Sequence, residues 1–122
     1  MAEYRNFSVN VESPVAVYVQ IENQVQFLVA AGDLKVGDML PSVREMSEML
    51  HINPNTVTKA YRDLELMHLV ITRRGVGVKV APDAPKLCRT AVREMLKEHL
   101  TDAVAEALMS GWGRGEIQKI VD

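Results

Sequence analysis

The 122-residue sequence predicts a mainly α-helical protein that carries one small β-hairpin, and three observations lead there. Apolar residues recur three and four apart in several separate stretches, the period of helices with one buried face. A single β-prone stretch, "LVITRRGVGVKV", has Arg74-Gly75 at its centre and reads as two strands joined by a turn. Helix-start and helix-stop residues stand at the borders of the periodic stretches, so each has a defined beginning and end.

Taken in order, the chain before Pro14 is expected to be irregular and frayed. Pro14 opens a first helix whose buried stripe is Val17, Tyr18, Ile21, Val25, Leu28 and Val29, with Gly32 as its stop. "GDLKVGDMLPS" is a loop punctuated by Gly37 and Pro41. Ser42 begins the second helix. Its Ser42-Val43-Arg44-Glu45 is a capping-box pattern, in which hydroxyl and carboxylate each satisfy a free backbone N–H. That helix buries Val43, Met46, Met49 and Leu50 and turns Arg44 and Glu48 outward. Only "HIN" separates it from a third helix, which Asn53 caps and Pro54 begins, where a missing N–H does no harm. Val57, Ala60 and Leu64 are its buried stripe, and so short a joint makes the two helices cross steeply.

The strands of the hairpin are Val70–Arg73 and Val76–Val80, and because a lone hairpin is marginal in water it must lean on the helices. "APDAP", residues 81–85, has two prolines in five positions and reads as a linker. From Lys86 to Met109 a long helix follows, with a broad apolar stripe of Cys88, Val92, Met95, Leu96, Leu100, Ala103, Val104, Ala107 and Leu108. Ser110-Gly111 ends it, Trp112 follows, and a last short helix carries Ile117, Ile120 and Val121. The expected architecture is therefore a winged helix-turn-helix at residues 10–80 and a short two-helix segment at residues 86–122.

Composition narrows the class of function. Hydrophobic residues make up 48% and charged residues 25%, the balance of an ordinary soluble globular protein. One cysteine, Cys88, permits neither an intramolecular disulfide nor a cysteine zinc site and suits a reducing cytoplasm. No secretory signal is visible, and the most apolar run, Val15 to Ala31, is interrupted by Gln20, Glu22, Asn23, Gln24 and Gln26, so no membrane span is expected. His51, His68 and His99 are far apart and make no i, i+4 pair, "GVG" lacks the rest of a phosphate loop, and no nucleophile–base–acid set has a recognisable spacing. Neither an enzyme, a metal site nor a cofactor is expected.

The net charge of −2 hides a gradient: residues 1–34 sum to −3, residues 35–80 to +2 and residues 81–122 to −1. The local basic excess lies around the third helix and the hairpin, where an electrostatic footprint for nucleic acid would lie. A helix about 10–12 Å across fits a major groove about 12 Å wide, which brings the side chains of its first turns to base edges. Asn55 and Thr58 can hydrogen-bond bases, Lys59 and Arg62 can hold phosphates or guanine, and Arg44 points toward the same surface. Arg73-Arg74-Gly75 forms a wing tip able to reach backbone or minor groove. The plainer reading is a solvated polar face, and a winged helix used only as a protein-interaction module is the rival function.

The stretch "GDLKVGDMLPSVREMSEMLHINPNTVTKAYRDLELMHLVITRRGVGVKV" closely resembles the DNA-binding domain of the GntR family of bacterial transcription regulators, in its YtrA-type branch. The family pattern G-x-L-x-x-G-x-x-L-P-S-x-R-E, then T-V-x-x-A-x-x-x-L, then G-x-G is matched by Gly32, Leu34, Gly37, Leu40, Pro41, Ser42, Arg44, Glu45, Thr56, Val57, Ala60, Leu64, Gly75 and Gly77. The resemblance implies that Arg44 reads a guanine, that Asn53, Asn55, Thr56, Thr58 and Lys59 contact bases and phosphates, and that Arg74 and Gly75 enter the minor groove. It also implies a homodimer on double-stranded DNA, formed through the apolar face of Val92, Leu96, Leu100, Val104, Leu108 and Trp112, and a repressor acting on a pseudo-palindromic operator. Packing of that face back onto the first unit is the alternative. About 40 residues cannot enclose a drug-sized pocket with a shell of its own, so no effector is assigned. One position departs from the family: His68 stands where glycine usually precedes the wing, and a left-handed backbone there suits histidine less well.

Overall fold

In the computed structural model, which describes residues 7–122, five helices and two strands follow in chain order. They are α1 (Val17–Ala31), α2 (Val43–Leu50), α3 (Pro54–Leu66), β1 (Val70–Arg73), β2 (Gly77–Val80), α4 (Ala84–Met109) and α5 (Arg114–Val121). The chain divides into two compact units, one ending at Thr90 and the other comprising Ala91–Asp122, so the border falls inside α4.

In the first unit, α3 is the central element. Its Val57, Ala60, Tyr61 and Leu64 are buried together with Ile21, Val25 and Val29 of α1, Met46 of α2, and Leu69, Val70, Val78 and Val80 around the hairpin. Val43, Met49 and Leu50, expected in the core, are half-buried at its edge. Tyr61, absent from the expected stripe, adds a polar tie: its hydroxyl donates to the carbonyl of Pro41 at 2.6 Å in a buried position. A buried tyrosine needs such a partner, and here the partner is the turn that leads into α2.

The N-terminal segment departs from the expectation of a frayed start. Residues 1–6 lie outside the described residues, but Phe7 is only 6% exposed and belongs to the core. The glutamines that interrupt the apolar run of α1 hold this segment down. Gln24 Oε1 accepts from Ser8 N at 3.0 Å, Gln20 Oε1 accepts from Asn10 N at 2.8 Å, and Gln20 Nε2 donates to the carbonyls of Asn10 and Val15 at 2.9 and 2.8 Å. Engagement of Val15 in this clamp, with its N–H donating to Ser13 Oγ at 3.1 Å, explains why α1 begins at Val17 and not at Pro14.

The hairpin is antiparallel, with Val70 opposite Val80 and Arg73 opposite Gly77. It is not left alone. On the far side of β2 the loop before α2 supplies a third row of hydrogen bonds: Leu40 N to Val78 O at 2.8 Å, Val80 N to Asp38 O at 2.9 Å and Gly37 N to Val80 O at 3.0 Å. Gly77 suits its place because its φ of +127° is a backbone conformation that other residues rarely adopt. Residues 81–85, expected as a linker, form no free connection: Ala81 and Ala84 are buried, and Ala84 and Pro85 already lie in the first turn of α4. Cys88, in the next turn, is fully buried, and burial pushes its thiol up to about 11.

Three helices of the first unit end in the same way. Gly32, His51 and His68 all have positive φ (86°, 56° and 64°), and each is followed within two residues by an apolar anchor: Leu34, Ile52 and Leu69. After α3 both bonds of this ending are present, His68 N to Glu65 O and Leu69 N to Leu64 O, each 3.0 Å. The left-handed backbone at His68 thus exists, and the wing forms regardless. A side chain there carries a conformational cost that glycine does not. His68→Gly is expected to stabilise the fold by about 0.5–1 kcal/mol, the relief being partly offset by glycine's greater freedom when unfolded. The midpoint of urea unfolding measures this, and a destabilised variant would mean that the imidazole makes a compensating contact.

Candidate nucleic-acid interface

The start of α2 is held by the anticipated capping box: Ser42 Oγ accepts from Glu45 N at 3.0 Å and Glu45 Oε1 accepts from Ser42 N at 2.9 Å. These hydrogen bonds, backbone first, hold the Glu45 carboxyl below its ordinary range. The second residue of the helix is Arg44, with a side chain 87% exposed and its Nε donating to Glu48 Oε1 at 3.1 Å.

At the start of α3, Asn53 Oδ1 accepts from Asn55 N at 2.8 Å and Pro54 takes the first helical position. The Asn53 amide NH₂ stays free of the cap, and the first turn of the helix presents N–H groups and the positive end of its dipole, a setting that favours phosphate. Burial of Val57, Ala60, Tyr61 and Leu64 turns Asn53, Asn55, Thr58, Lys59 and Arg62 to solvent, while Thr56 is half-buried. Thr58 Oγ1 donates back to Pro54 O at 3.1 Å, which spends its one proton and leaves its lone pairs as acceptors.

Lys59 is held more firmly than sequence reading suggested. Its Nζ lies 3.0 Å from Asp63 Oδ1 and 5.2 Å from the centre of the Tyr18 ring on α1, and the Asp63 hydrogen bond raises its pKa. Behind this pair lies Glu22 of α1, a buried acid whose Oε2 has no hydrogen-bond partner among the described residues. Burial first, then a hydrogen bond and the charge of Asp63, push the Glu22 carboxyl up to about 7. Asp63 is held low by the hydrogen bonds from Glu22 and Lys59.

The wing tip is a turn closed by Val76 N donating to Arg73 O at 3.0 Å, with Gly75 at φ +79°. Arg73, Arg74, Gly75 and Val76 are all exposed, and Lys79 on β2 is half-buried. Among the described residues, the side chains of Asn55, Arg62, Arg73 and Arg74 hold no hydrogen bond or ion pair. Thus all ten candidate contact residues lie in the first unit. Two of them, Arg44 and Lys59, carry an acid partner one turn on. Glu48, Asp63, Glu22 and Tyr18 were not expected from sequence to touch the candidate contact residues. The i, i+4 spacing of the first two could have found them, whereas the meeting of Tyr18 and Glu22 with α3 is tertiary.

The second unit presents a different surface. Of Ala91–Asp122 only Val92, one of the expected dimer contacts, is buried. Leu96, Leu100, Val104, Leu108 and Trp112 are exposed, Leu100 by 61%. The end of α4, the turn after it and α5 line an apolar groove of about 680 Å³, with Leu100, Val104, Ala107, Trp112, Ile117 and Val121 among its walls. No helix among the described residues is long and apolar enough to cross a membrane.

A helix-turn-helix with a capped, solvent-facing α3 and an arginine-tipped wing defines a winged-helix DNA-binding regulator. Comparison with known proteins places it more narrowly. The chain belongs to the GntR family: the family's pattern (bacterial regulatory proteins, gntR family) matches residues 17–80. It is 37% identical over 99 residues to the HTH-type transcriptional repressor YtrA of Bacillus subtilis (strain 168), covering 81% of this chain and 76% of that protein. Its fold matches a transcriptional antiterminator from Listeria monocytogenes EGD-e with a TM-score of 0.73 and 30% identity, over 98% of this chain and 90% of that one. The AraR DNA-binding domain in complex with operator ORX1 shares the fold alone, at a TM-score of 0.54 and 20% identity over 62% of this chain and 95% of that domain.

The buried acid beside Lys59 has a pH consequence. The folded protein holds a proton on Glu22 up to about pH 7, whereas an exposed glutamate releases it near 4.5. The contribution of this group to stability is therefore complete below about pH 4.5 and is lost as pH rises through 7. Glu22→Gln, which keeps a donor for Asp63 and cannot ionise, is expected to stabilise the protein at pH 8 by on the order of 1–2 kcal/mol and far less at pH 5. Urea midpoints at the two pH values decide it, and equal effects at both would refute the buried-acid account.

Proposed function

We propose that this chain is a homodimeric repressor acting in the cytoplasm, which recognises a pseudo-palindromic operator through α3, the start of α2 and the wing. The observation that carries the reading is the placement of hydrogen-bond donors in a regulator of this family. Arg44, Asn53, Asn55, Lys59 and Arg62 are exposed at the start of α2 and along α3 from its cap, and Arg73 and Arg74 are exposed at the wing. In this reading Arg44 and Asn55 meet base edges, with Thr56 and Thr58 beside them. Asn53, Lys59, Arg62, Arg73 and Lys79 hold phosphates, and Arg74-Gly75 reaches the minor groove. Lys59 must share its ammonium between Asp63 and the phosphate. The repressor assignment follows the name of the Bacillus subtilis relative.

Dimerisation is supported by the state of the second unit. Thirty-two residues in which only Val92 is buried have no core of their own, and helices of this length gain their stability from packing. A second copy laid on Leu96, Leu100, Val104, Leu108 and Trp112 would cover that surface and set two α3 helices on two half-sites.

Duplexes selected from a randomised library, compared with a scrambled duplex at two salt concentrations, test the DNA reading. An enriched inverted repeat whose affinity falls steeply with salt is expected, and equal weak binding of both duplexes would defeat operator recognition. Arg44→Ala is expected to lose about 1–3 kcal/mol on the enriched duplex and to relax preference at one base position. Leu100→Asp is expected to give a monomer in sedimentation and to weaken operator binding by about a hundredfold or more, since linked half-sites bind by avidity. A dimer that survives this change would place the interface elsewhere.

A further inference from the structure

An acid on a surface that meets phosphates lowers affinity, because it repels the backbone that its basic neighbours attract. Glu48 is such an acid. It lies on the outward face of α2 with a side chain 66% exposed, one turn after Arg44. Glu45, in the first turn, serves as the capping carboxylate. Glu48 has no such duty: its Oε1 accepts from Arg44 Nε at 3.1 Å. As a stabilising pair this contributes little, since both side chains are largely in water.

The geometry of the contact carries more. A guanidinium presents its donors in a rigid planar fork. With Nε donating to Glu48, the two terminal amino groups remain, and they are a pair that can meet O6 and N7 of guanine end-on. The backbone beneath is already fixed by the capping box and by Ser47 Oγ donating to Arg44 O at 2.9 Å. The long side chain is then the one soft part of Arg44, and Glu48 is the group that holds it.

We propose that Glu48 is a positioning residue for base readout, which grips Arg44 by Nε so that its terminal amino groups reach the base edge already oriented. This rests on the reading that Arg44 contacts a base. Ordering a rotamer-rich side chain on binding weakens the specific complex, and an Arg44 ordered beforehand avoids part of that loss. Loose binding to phosphates needs no such orientation, so there Glu48 acts only through its unfavourable charge. Removing the acid therefore lowers specific binding relative to loose binding, which a merely structural role would not do.

The test uses the full chain and two probes: the duplex most enriched by the unmodified protein from a randomised library, and a scrambled duplex of equal length and composition. Glu48→Ala is expected to lower the ratio of the two affinities about three- to tenfold. Binding to the scrambled duplex is expected to stay level or rise, with thermal unfolding unchanged beyond the small range of surface substitutions. Glu48→Gln keeps an oxygen for Nε and removes the charge, so the ratio is expected to survive. In an Arg44→Ala background, Glu48→Ala is expected to change the ratio no further. If Glu48→Ala leaves the ratio intact while Arg44→Ala lowers it, base readout by Arg44 stands and positioning by Glu48 is wrong. Equal loss with Gln and Ala, or equal loss with and without Arg44, overturns the proposal in favour of charge alone or of direct contact between Glu48 and DNA. An Arg44→Ala variant with an unchanged ratio removes the base-reading role and the positioning role together.

Discussion

Burial of one face of α3 is the constraint from which the rest of the first unit follows. Val57, Ala60, Tyr61 and Leu64 face inward, against apolar residues of α1, α2 and the hairpin. A helix advances 100° per residue, so once these four are committed to the core, Asn55, Thr58, Lys59 and Arg62 are turned outward. No separate interaction has to present them. The Tyr61 hydroxyl, donating to Pro41 O, extends the constraint from α3 to the turn before α2, and so to the register of the capping box on which Arg44 stands.

A second, electrostatic seam joins α1 to α3. Tyr18, Lys59, Asp63 and Glu22 form one cluster in which a cation over a ring, an ion pair and a buried acid share a small space. Apolar packing alone would allow α3 to slide or roll by small amounts, whereas hydrogen-bonded charges allow few arrangements. The seam also ties Lys59 to the fold, which sets it apart from Arg62, Arg73 and Arg74, whose side chains have no hydrogen bond or ion pair among the described residues.

What could be read from the residues in advance was local. The Ser42 box, the Asn53-Pro54 start and the Gly32 stop depend on neighbours within five positions, and the structure has each of them, as it has the hairpin, whose second strand begins at Gly77 and not at Val76. The candidate contact residues were legible for the same reason, because helical phase turns a buried stripe into a statement about the opposite face. What escaped was tertiary. Nothing within five residues of Phe7 says that it joins the core, or that Gln20 and Gln24 will clamp the segment behind it. Two prolines made residues 81–85 look like a linker, but alanines at 81 and 84 are small enough to pack, and their burial overrode the prolines. The third row of hydrogen bonds along β2 arises from a loop some forty residues earlier, which no periodicity could announce.

The recurrent helix ending has an implication for how such a chain can vary in length. After α1, α2 and α3 the backbone reverses through one left-handed residue and an apolar side chain enters the core at once or one position later: Leu34, Ile52 and Leu69. An inserted residue at any of these three corners would pull that anchor out of its place or push the next element out of phase. The turn beyond Arg73 has no such anchor, since Arg74, Gly75 and Val76 are all exposed. Insertions and deletions in the first unit are therefore tolerated at the wing tip and resisted at the corners, so the reach of the wing is the dimension that evolution can adjust without rebuilding the core.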